Sequence, residues 1–526
     1  MSKHISPRRR ALLGALGALP LLAACRPGSE SLPDVVAASG GGASGLRIVG
    51  PWEIVGIDPS RSGYLFSRTE ICETLVEVDD DGQFVGGLAN EWQVSRDRRY
   101  WRFKLRPGAR FHDGSAVDAH AVVQALTFSR QKPGGMGMAP IERIDAGDGV
   151  VDIRLGKAFE ALPAMLAHSS AQILAPACYS VTGAVRRIVG SGPYKLTLLE
   201  PPQRFAAEAS EYWDGPPVAM RSLHYLAVGR GESRALMAES GQADIVYSLD
   251  PASWQRLRGN PRVRVAAVHL PRTLYLKLNA RHPLLGRREV REAISLALDR
   301  GGIARAVLRD EAAAANQLLA PVLRDWHDPG LPGLPFDLAR AGEILDAQGL
   351  KKGPDGIRTN TDGIRLGLKL LTFPDRPELP VIAAAVQEQM RQLGIAVDVR
   401  IGNSSDIPAG HRDGSLELAL GARNFANVPE PSVTLLQDFG LQGGDWGAMG
   451  WTSPALVEAL GRYQESVRET DKHALRRRIV ALLHAELPTI PLAWNRLVAA
   501  HHPRLDGFSL DPLERCYRIS RMRWQT

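Results

Sequence analysis

Cysteine is scarce: the 526 residues hold only Cys25, Cys72, Cys178 and Cys516. No CxxC occurs, and no cysteine pairs with histidine at zinc-ligand spacing, so a structural zinc module is excluded. The three cysteines after Cys25 allow at most one disulfide, and buried free thiols are the simpler expectation. Long apolar runs are missing too. Beyond a short segment near the N-terminus, no stretch of about 18 apolar residues exists to cross a bilayer. Motifs that carry a catalytic mechanism are also absent: there is no GxSxG, no HExxH and no GxxxxGK[ST]. Asp79-Asp80-Asp81 is acidic but lacks the further ligand spacing and closing glutamate of a calcium loop. Excess charge is small. The formal +7 includes Lys3, Arg8, Arg9 and Arg10, and without the first 24 residues it falls to +3, no footprint for nucleic acid. These absences point away from an enzyme, a resident cofactor or metal, and a nucleic-acid partner.

The N-terminus is informative. Arg8, Arg9 and Arg10 precede the apolar segment Ala11 to Ala24, and small residues lead to Cys25, the parts of an export signal. Leu-Ala-Ala-Cys resembles a bacterial lipobox, which implies cleavage before Cys25 and diacylation of its sulfur. The arginine cluster followed by Ala11-Leu12-Leu13 also resembles a twin-arginine signal. Ordinary signal-peptidase cleavage nearby, or export by the general route, is the alternative. Arg26 to Ser44 is rich in Gly, Ser and Pro and cannot bury a core, so residues 25–44 read as a flexible tether. The expectation is an exported protein at the extracytoplasmic face of the membrane, periplasmic, and touching the bilayer only through a lipid.

From about Gly45 the chain is long enough for two or more lobes. Ile48 to Gly56 begins as a strand, Leu75 to Val78 enters a turn, and Trp101 to Leu105 and Val150 to Leu155 alternate as half-buried strands. Helical spacing marks Asp118 to Ser129, Arg288 to Asp299, Asp337 to Asp346 and Pro380 to Leu393, with Gly394 as a C-cap. Ile395 to Ile401 follows at once as a strand, so helix and strand alternate as in an α/β lobe. There is no internal repeat.

Several blocks together carry a resemblance. Leu88 to Ala119 reads LANEWQVSRDRRYWRFKLRPGARFHDGSAVDA. GSGPYKL (Gly190 to Leu196), EYWD (Glu211 to Asp214), GQADI (Gly241 to Ile245), YLKLN (Tyr275 to Asn279), VREAISLALDR (Val290 to Arg300) and LPTIPL (Leu487 to Leu492) follow in order. The series resembles family 5 solute-binding proteins, the extracytoplasmic receptors of peptide, nickel and opine ABC importers. The resemblance implies an α/β, two-lobed periplasmic-binding-protein fold of class II type, hinge-linked and with an extra subdomain in the first lobe. It implies lobe I over 45–270, lobe II over 271–487, and a return to lobe I over 488–526. The crossings are expected near Leu270 to Asn279 and Leu487 to Ala493. The implied function is capture of a small polar solute, a short peptide or a metal chelate such as nickel-chelate, by a monomer that delivers it to an ABC permease. A ligand-sensing receptor for a membrane signalling partner, or a secreted hydrolase, is the alternative.

The same resemblance implies where the ligand lies. In this family an aromatic-to-acidic-Pro segment of the second lobe contacts ligand, and here that segment is ARNFANVPEP, Ala422 to Pro431. Phe425 is expected as an apolar wall, Arg423 as a partner for a ligand carboxylate or else a salt bridge within its own lobe. Peptide receptors carry an aspartate where this chain has Asn427, which offers a neutral hydrogen bond instead of a charge. Nickel receptors carry a histidine in the following loop, and Leu441 to Gly450 has none. Tyr64 and Leu65 stand where the first lobe's ligand loop passes. Of the remaining candidates, Met136 and Met138 read as a flexible loop, His501-His502 as surface or core residues, and Lys472 to Arg478 as a solvated basic face.

Overall fold

A computed structural model describes residues 45–525 apart from 133, 134, 375 and 442. The export signal over 1–24, the tether over 25–44 and Cys25 lie outside the described residues. Ten strands form one large sheet: β1 (Gly45–Gly50), β2 (Tyr194–Glu200), β3 (Arg204–Ala209), β4 (Ser222–Ala227), β5 (Ile245–Tyr247), β6 (Arg264–Leu278), β7 (Gly367–Thr372), β8 (Ala396–Ile401), β9 (Leu418–Asn424) and β10 (Thr489–His501). Their order across the sheet is β8-β7-β9-β6-β10-β5-β1-β4-β3-β2.

The two longest strands, β6 and β10, hold the halves together. They pair antiparallel from Arg264 opposite His501 to Lys277 opposite Thr489. The ladder is interrupted between His269 and Thr273. Pro271 lies in that gap, where it has no N–H to give to a ladder. Beyond the gap β6 also pairs with β9, Arg272 opposite Asn424 to Leu278 opposite Leu418. On its other side, Ala499 to His501 of β10 pair with β5, Tyr247 opposite Ala499 and Ile245 opposite His501. The two long strands therefore form the middle of the sheet, with β9 beside one and β5 beside the other.

A core lies on either side. The first gathers Ile48, Phe205 and Tyr225 of the large sheet with Phe103, Val151 and Ile153 of a separate four-stranded sheet. The second packs Leu274 and Leu276 of β6 and Leu370 of β7 against Ile382, Val386 and Met390 of the helix Glu378–Leu393. That helix recurs every three or four residues as its periodicity predicts, and Gly394 ends it at φ +100°. The helix Ala119–Arg130 starts under Asp118, whose carboxylate accepts from the Ala121 N–H at 2.8 Å. Two boundaries differ from the sequence reading by three residues or more. The first strand spans Gly45–Gly50, stopping at Pro51, and the helix from Arg288 ends at Leu296 because Asp299 caps a new turn by accepting from Gly302 N–H. Cys72, Cys178 and Cys516 are free thiols, the first two buried, and burial lifts Cys178 to about 11.

Several of the family-like blocks have plain structural reasons. Gly190 and Gly192 press against the carbonyls of Ile71 and Glu70, where any Cβ would overlap backbone oxygen. Arg291 and Arg300 are buried with carbonyl partners: Arg291 Nη2 donates to Glu486 O at 2.8 Å, and Arg300 Nε donates to Pro491 O at 2.8 Å, tying the helix to the start of β10.

Candidate functional site

Segments from both cores meet beside the middle of β6 and β10. From the first come Trp52, the helix Pro59–Arg68 and the C-terminal stretch around Glu514 and Tyr517; from the second come Arg376 and Glu378. Arg68 lies over the rings of Trp52 (4.6 Å) and Tyr64 (5.2 Å), a stacking that suits a planar guanidinium. Its Nε donates to Glu514 O at 2.8 Å. The Glu514 carboxylate accepts from Arg272 Nη2 on β6 and lies 3.9 Å from Arg68 Nη2. Arg272 Nη1 donates to Asn495 Oδ1 at 3.2 Å, and Asn495 Nδ2 donates to Glu378 Oε1 at 3.2 Å. One polar network thus links the C-terminal segment, both long strands and the helix of the second core.

Its electrostatics are those of buried charge. Burial alone would lift the Glu514 carboxyl, but Arg272, Arg68 and Arg376 outweigh it and hold it below the usual carboxylate range. Burial, reinforced by Arg376, pushes Arg272 down to about 10. Ions taken out of water are costly unless matched, so this cluster is a place where a charged guest is strongly felt.

The residues expected from sequence are only partly brought together. Tyr64 is half-buried beside Arg68, within the network just described. Leu65 is fully buried in the first core. Arg423 is held by its own half: Nε donates to Asp438 Oδ2 at 2.6 Å, Nη2 to Asp438 Oδ1 at 3.0 Å and to Gln437 Oε1 at 3.2 Å. This is the salt bridge within the lobe that the sequence left open as an alternative. The Phe425 ring packs into a third apolar cluster with Leu435, Phe439 and Leu460, while its N–H donates to Pro271 O at 2.7 Å. Asn427 is exposed, and its amide lies 3.1 Å from Nε2 of His168, which belongs to the opposite half. Burial and the nearby Arg515 push His168 down to about 4, so it is a neutral imidazole at neutral pH. Arg68, Arg272, Asn495 and Glu514 were missed by sequence reasoning. The available signal was the placement of Arg272 beside Pro271 in a crossing strand rich in Leu, Val and Ala.

Lys277 holds the loop that follows this site. It is buried on β6, and its Nζ donates to Gly444 O at 3.0 Å and to Gly447 O. Burial pushes its ammonium down to about 7, against the pull of Asp438 and Asp445. An unfolded lysine titrates near 10.4, so from about pH 7 to about pH 10 the unfolded chain binds more protons than the folded one. Stability contributed by this group therefore rises with pH across that window. Denaturant unfolding at about pH 6.5 and about pH 9.5 is expected to show the rise in the wild type and not in Lys277→Met. Equal pH slopes in the two proteins would remove Lys277 as the cause.

Among the described residues no helix is long and apolar enough to cross a membrane, and no cluster of three His, Cys, Asp or Glu side chains could hold a metal ion. Comparison with known proteins gives a consistent answer. The family model described as bacterial extracellular solute-binding proteins, family 5 middle, matches residues 83–445. The nickel-binding periplasmic protein of Escherichia coli K12 is 24% identical over 468 residues, covering 85% of this chain and 88% of that protein. The glutathione-binding protein GsiB of Pectobacterium atrosepticum is 24% identical over 479 residues, covering 87% and 90%. Among solved structures, NikA from Brucella suis in complex with Fe(III)-EDTA superposes with a TM-score of 0.80 at 22% identity, covering 91% of this chain and all of that one. The oligopeptide-binding protein AppA of Bacillus subtilis, in complex with a nonapeptide, gives 0.80 at 18% identity, covering 92% and 99%. The fold is the two-lobed architecture of periplasmic binding proteins. The chain belongs to the bacterial extracellular solute-binding proteins of family 5, substrate receptors of ABC importers and not enzymes.

Proposed function

We propose that this protein is a lipid-anchored receptor that captures a small polar solute between its lobes and hands it to a membrane permease. The observation that carries this reading is the polar network joining Glu514, Arg272, Asn495 and Glu378 across both long strands. Side chains from the two lobes converge there, and a solute bound among them is enclosed by hinge closure, which presents a new surface to a partner. In this reading lobe I comprises 45–270 and 488–526, lobe II comprises 271–487, residues 25–44 form the tether, and Cys25 bears the lipid. The site lies in the cleft, with Tyr64, Arg423, Phe425 and Asn427 near its walls and Leu65 behind them. The relatives whose names state a nickel or glutathione ligand, and the neighbour holding a nonapeptide, support a short peptide or a metal chelate as the class of solute.

One measurement tests anchoring and capture together. Mass spectrometry of the protein purified from membranes of its own host is expected to show a chain beginning at a diacylated Cys25 and, under native conditions, a retained small molecule. An unmodified N-terminus elsewhere would overturn the anchor; a mature, folded chain that neither retains nor binds any small solute would overturn the receptor.

A further inference from the structure

β1, β4, β5 and β6 run in one direction: β1 pairs parallel with β4 and β5, and both β5 and β6 oppose β10. All four start at the end of the sheet where Gly45 enters and where β10 finishes at His501. The connections from β4 to β5 and from β5 to β6, through the helices Gly231–Glu239 and Pro251–Leu257, each return to that end. The interlobe network lies the other way, since β1 leads from Gly45 toward Trp52, whose ring lies under Arg68.

The second connection brings positive charge to this end. Arg256 to Arg264 reads RLRGNPRVR, four arginines and no acid. Arg258, Arg262 and Arg264 are exposed, and so is Arg221, which precedes the pairing of Ser222 with Gly45. The carboxylates at this end are already engaged: Asp244 with Arg47 at 2.7 Å, Asp506 with Arg523 at 2.6 Å, Glu239 with Arg256, and Glu208 and Glu211 with Lys195. Among the described residues none is paired with Arg221, Arg258, Arg262 or Arg264. Arg258 also has a local use, at the end of its helix and over the Trp254 ring at 5.2 Å. The side chains of Arg221, Arg262 and Arg264 form no hydrogen bond among the described residues. Unbalanced cations gathered at one end repel one another and attract an external anion.

We propose that this end of the molecule docks on the anionic headgroups of the membrane that holds it, with Arg221, Arg258, Arg262 and Arg264 against lipid phosphates and the interlobe network turned toward the water. The proposal rests on the lipid-anchor reading above and adds a surface to it. The described chain begins at Gly45 on this same end, and residues 25–44, rich in Gly and Ser, lead from there to Cys25. A segment of that length and composition spans about 25 Å on average, which keeps this end over the bilayer. Within a Debye length of about 8 Å the lipid charge is felt. Each arginine brought that close favours the bound state about fivefold. From β6 to β4 the arginines spread over about 20 Å, four strand spacings. A flat field of phosphates meets cations so spread without requiring a fixed geometry, which these unpartnered side chains do not have.

The test uses the chain from residue 25 with Cys25→Ser, which bears no lipid, so the surface is measured apart from the anchor. Cosedimentation at low salt is read with vesicles of phosphatidylglycerol and phosphatidylcholine, and with vesicles of phosphatidylcholine alone. Binding is expected to the first and not to the second, and it should weaken as salt is raised. Arg258→Gln, Arg262→Gln and Arg264→Gln together should weaken it about 10- to 100-fold. Removing as much charge from exposed positions between β6 and β10 in sequence, with Arg305→Gln, Lys352→Gln and Arg478→Gln, should leave it nearly unchanged. Equal binding to both kinds of vesicle would overturn the proposal, as would an equal loss in the two triple variants, which would mean net charge and not this surface. Binding to the host's whole membranes but not to vesicles of their extracted lipids would mean a protein partner and would overturn the lipid assignment. An exported wild-type chain without a diacyl group at Cys25 would bring down the anchor alone, which the vesicle measurement does not involve.

Discussion

Glu514→Ala is expected to lower the unfolding free energy by about 3–5 kcal/mol, the cost of breaking a buried ion pair from one side. The carboxylate is 3% exposed at its side chain and faces Arg272 on β6 and Arg68 on the helix Pro59–Arg68. Deleting it leaves two guanidinium groups, each 10% exposed at the side chain, with Arg376 nearby and no buried anion between them. Glu514→Gln keeps the shape and one acceptor, so it should fall between alanine and the wild type. Denaturant midpoints of the three proteins give the comparison. An alanine variant within about 1 kcal/mol of the wild type would mean that water or backbone movement replaces the carboxylate, and the charge argument for this cluster would fail.

Asp438→Ala should be comparably severe, about 3–5 kcal/mol, for the same reason in the other lobe. Asp438 is 2% exposed and holds Arg423 through both oxygens, with Lys277 close enough to feel its charge. Removing it leaves a half-buried arginine and a buried lysine without their anion. A double variant with Arg423→Leu should recover part of the loss, since the second change removes the stranded charge; the interaction free energy from the full cycle measures how much. Strict additivity of the two single changes would show that the pair does not act as a unit.

Local order was legible in the sequence wherever a residue's role depends on its near neighbours. The helix ending at Leu393 declared itself through Ile382, Val386 and Met390 and through Gly394, and Asp118 marked the start of the helix over Ala119–Arg130. The alternation of Trp101, Phe103 and Leu105 against exposed neighbours matches a strand with one buried face. The site was much less legible. Arg68 and Glu514 are 446 positions apart, and no periodicity connects them. Arg423 carried a family resemblance, but whether it faced a ligand or Asp438 depended on how the helix Pro431–Phe439 folds back along β9. Leu65 and Tyr64 are neighbours in the chain on a helix, so one is turned into the core and the other toward Arg68. Sequence spacing could not say which.

The position of β10 has a bearing on how the molecule is assembled. It is the last of the ten strands to leave the ribosome, yet it lies between β5 and β6 in the middle of the sheet. Until residues 489–501 are available, β5 and β6 each present an open edge of unpaired backbone, the kind of surface through which chains join one another. Neither lobe can close its share of the sheet during synthesis. The fold itself covers neither edge until elongation is nearly complete, and a fragment cut short before Thr489 carries both edges exposed.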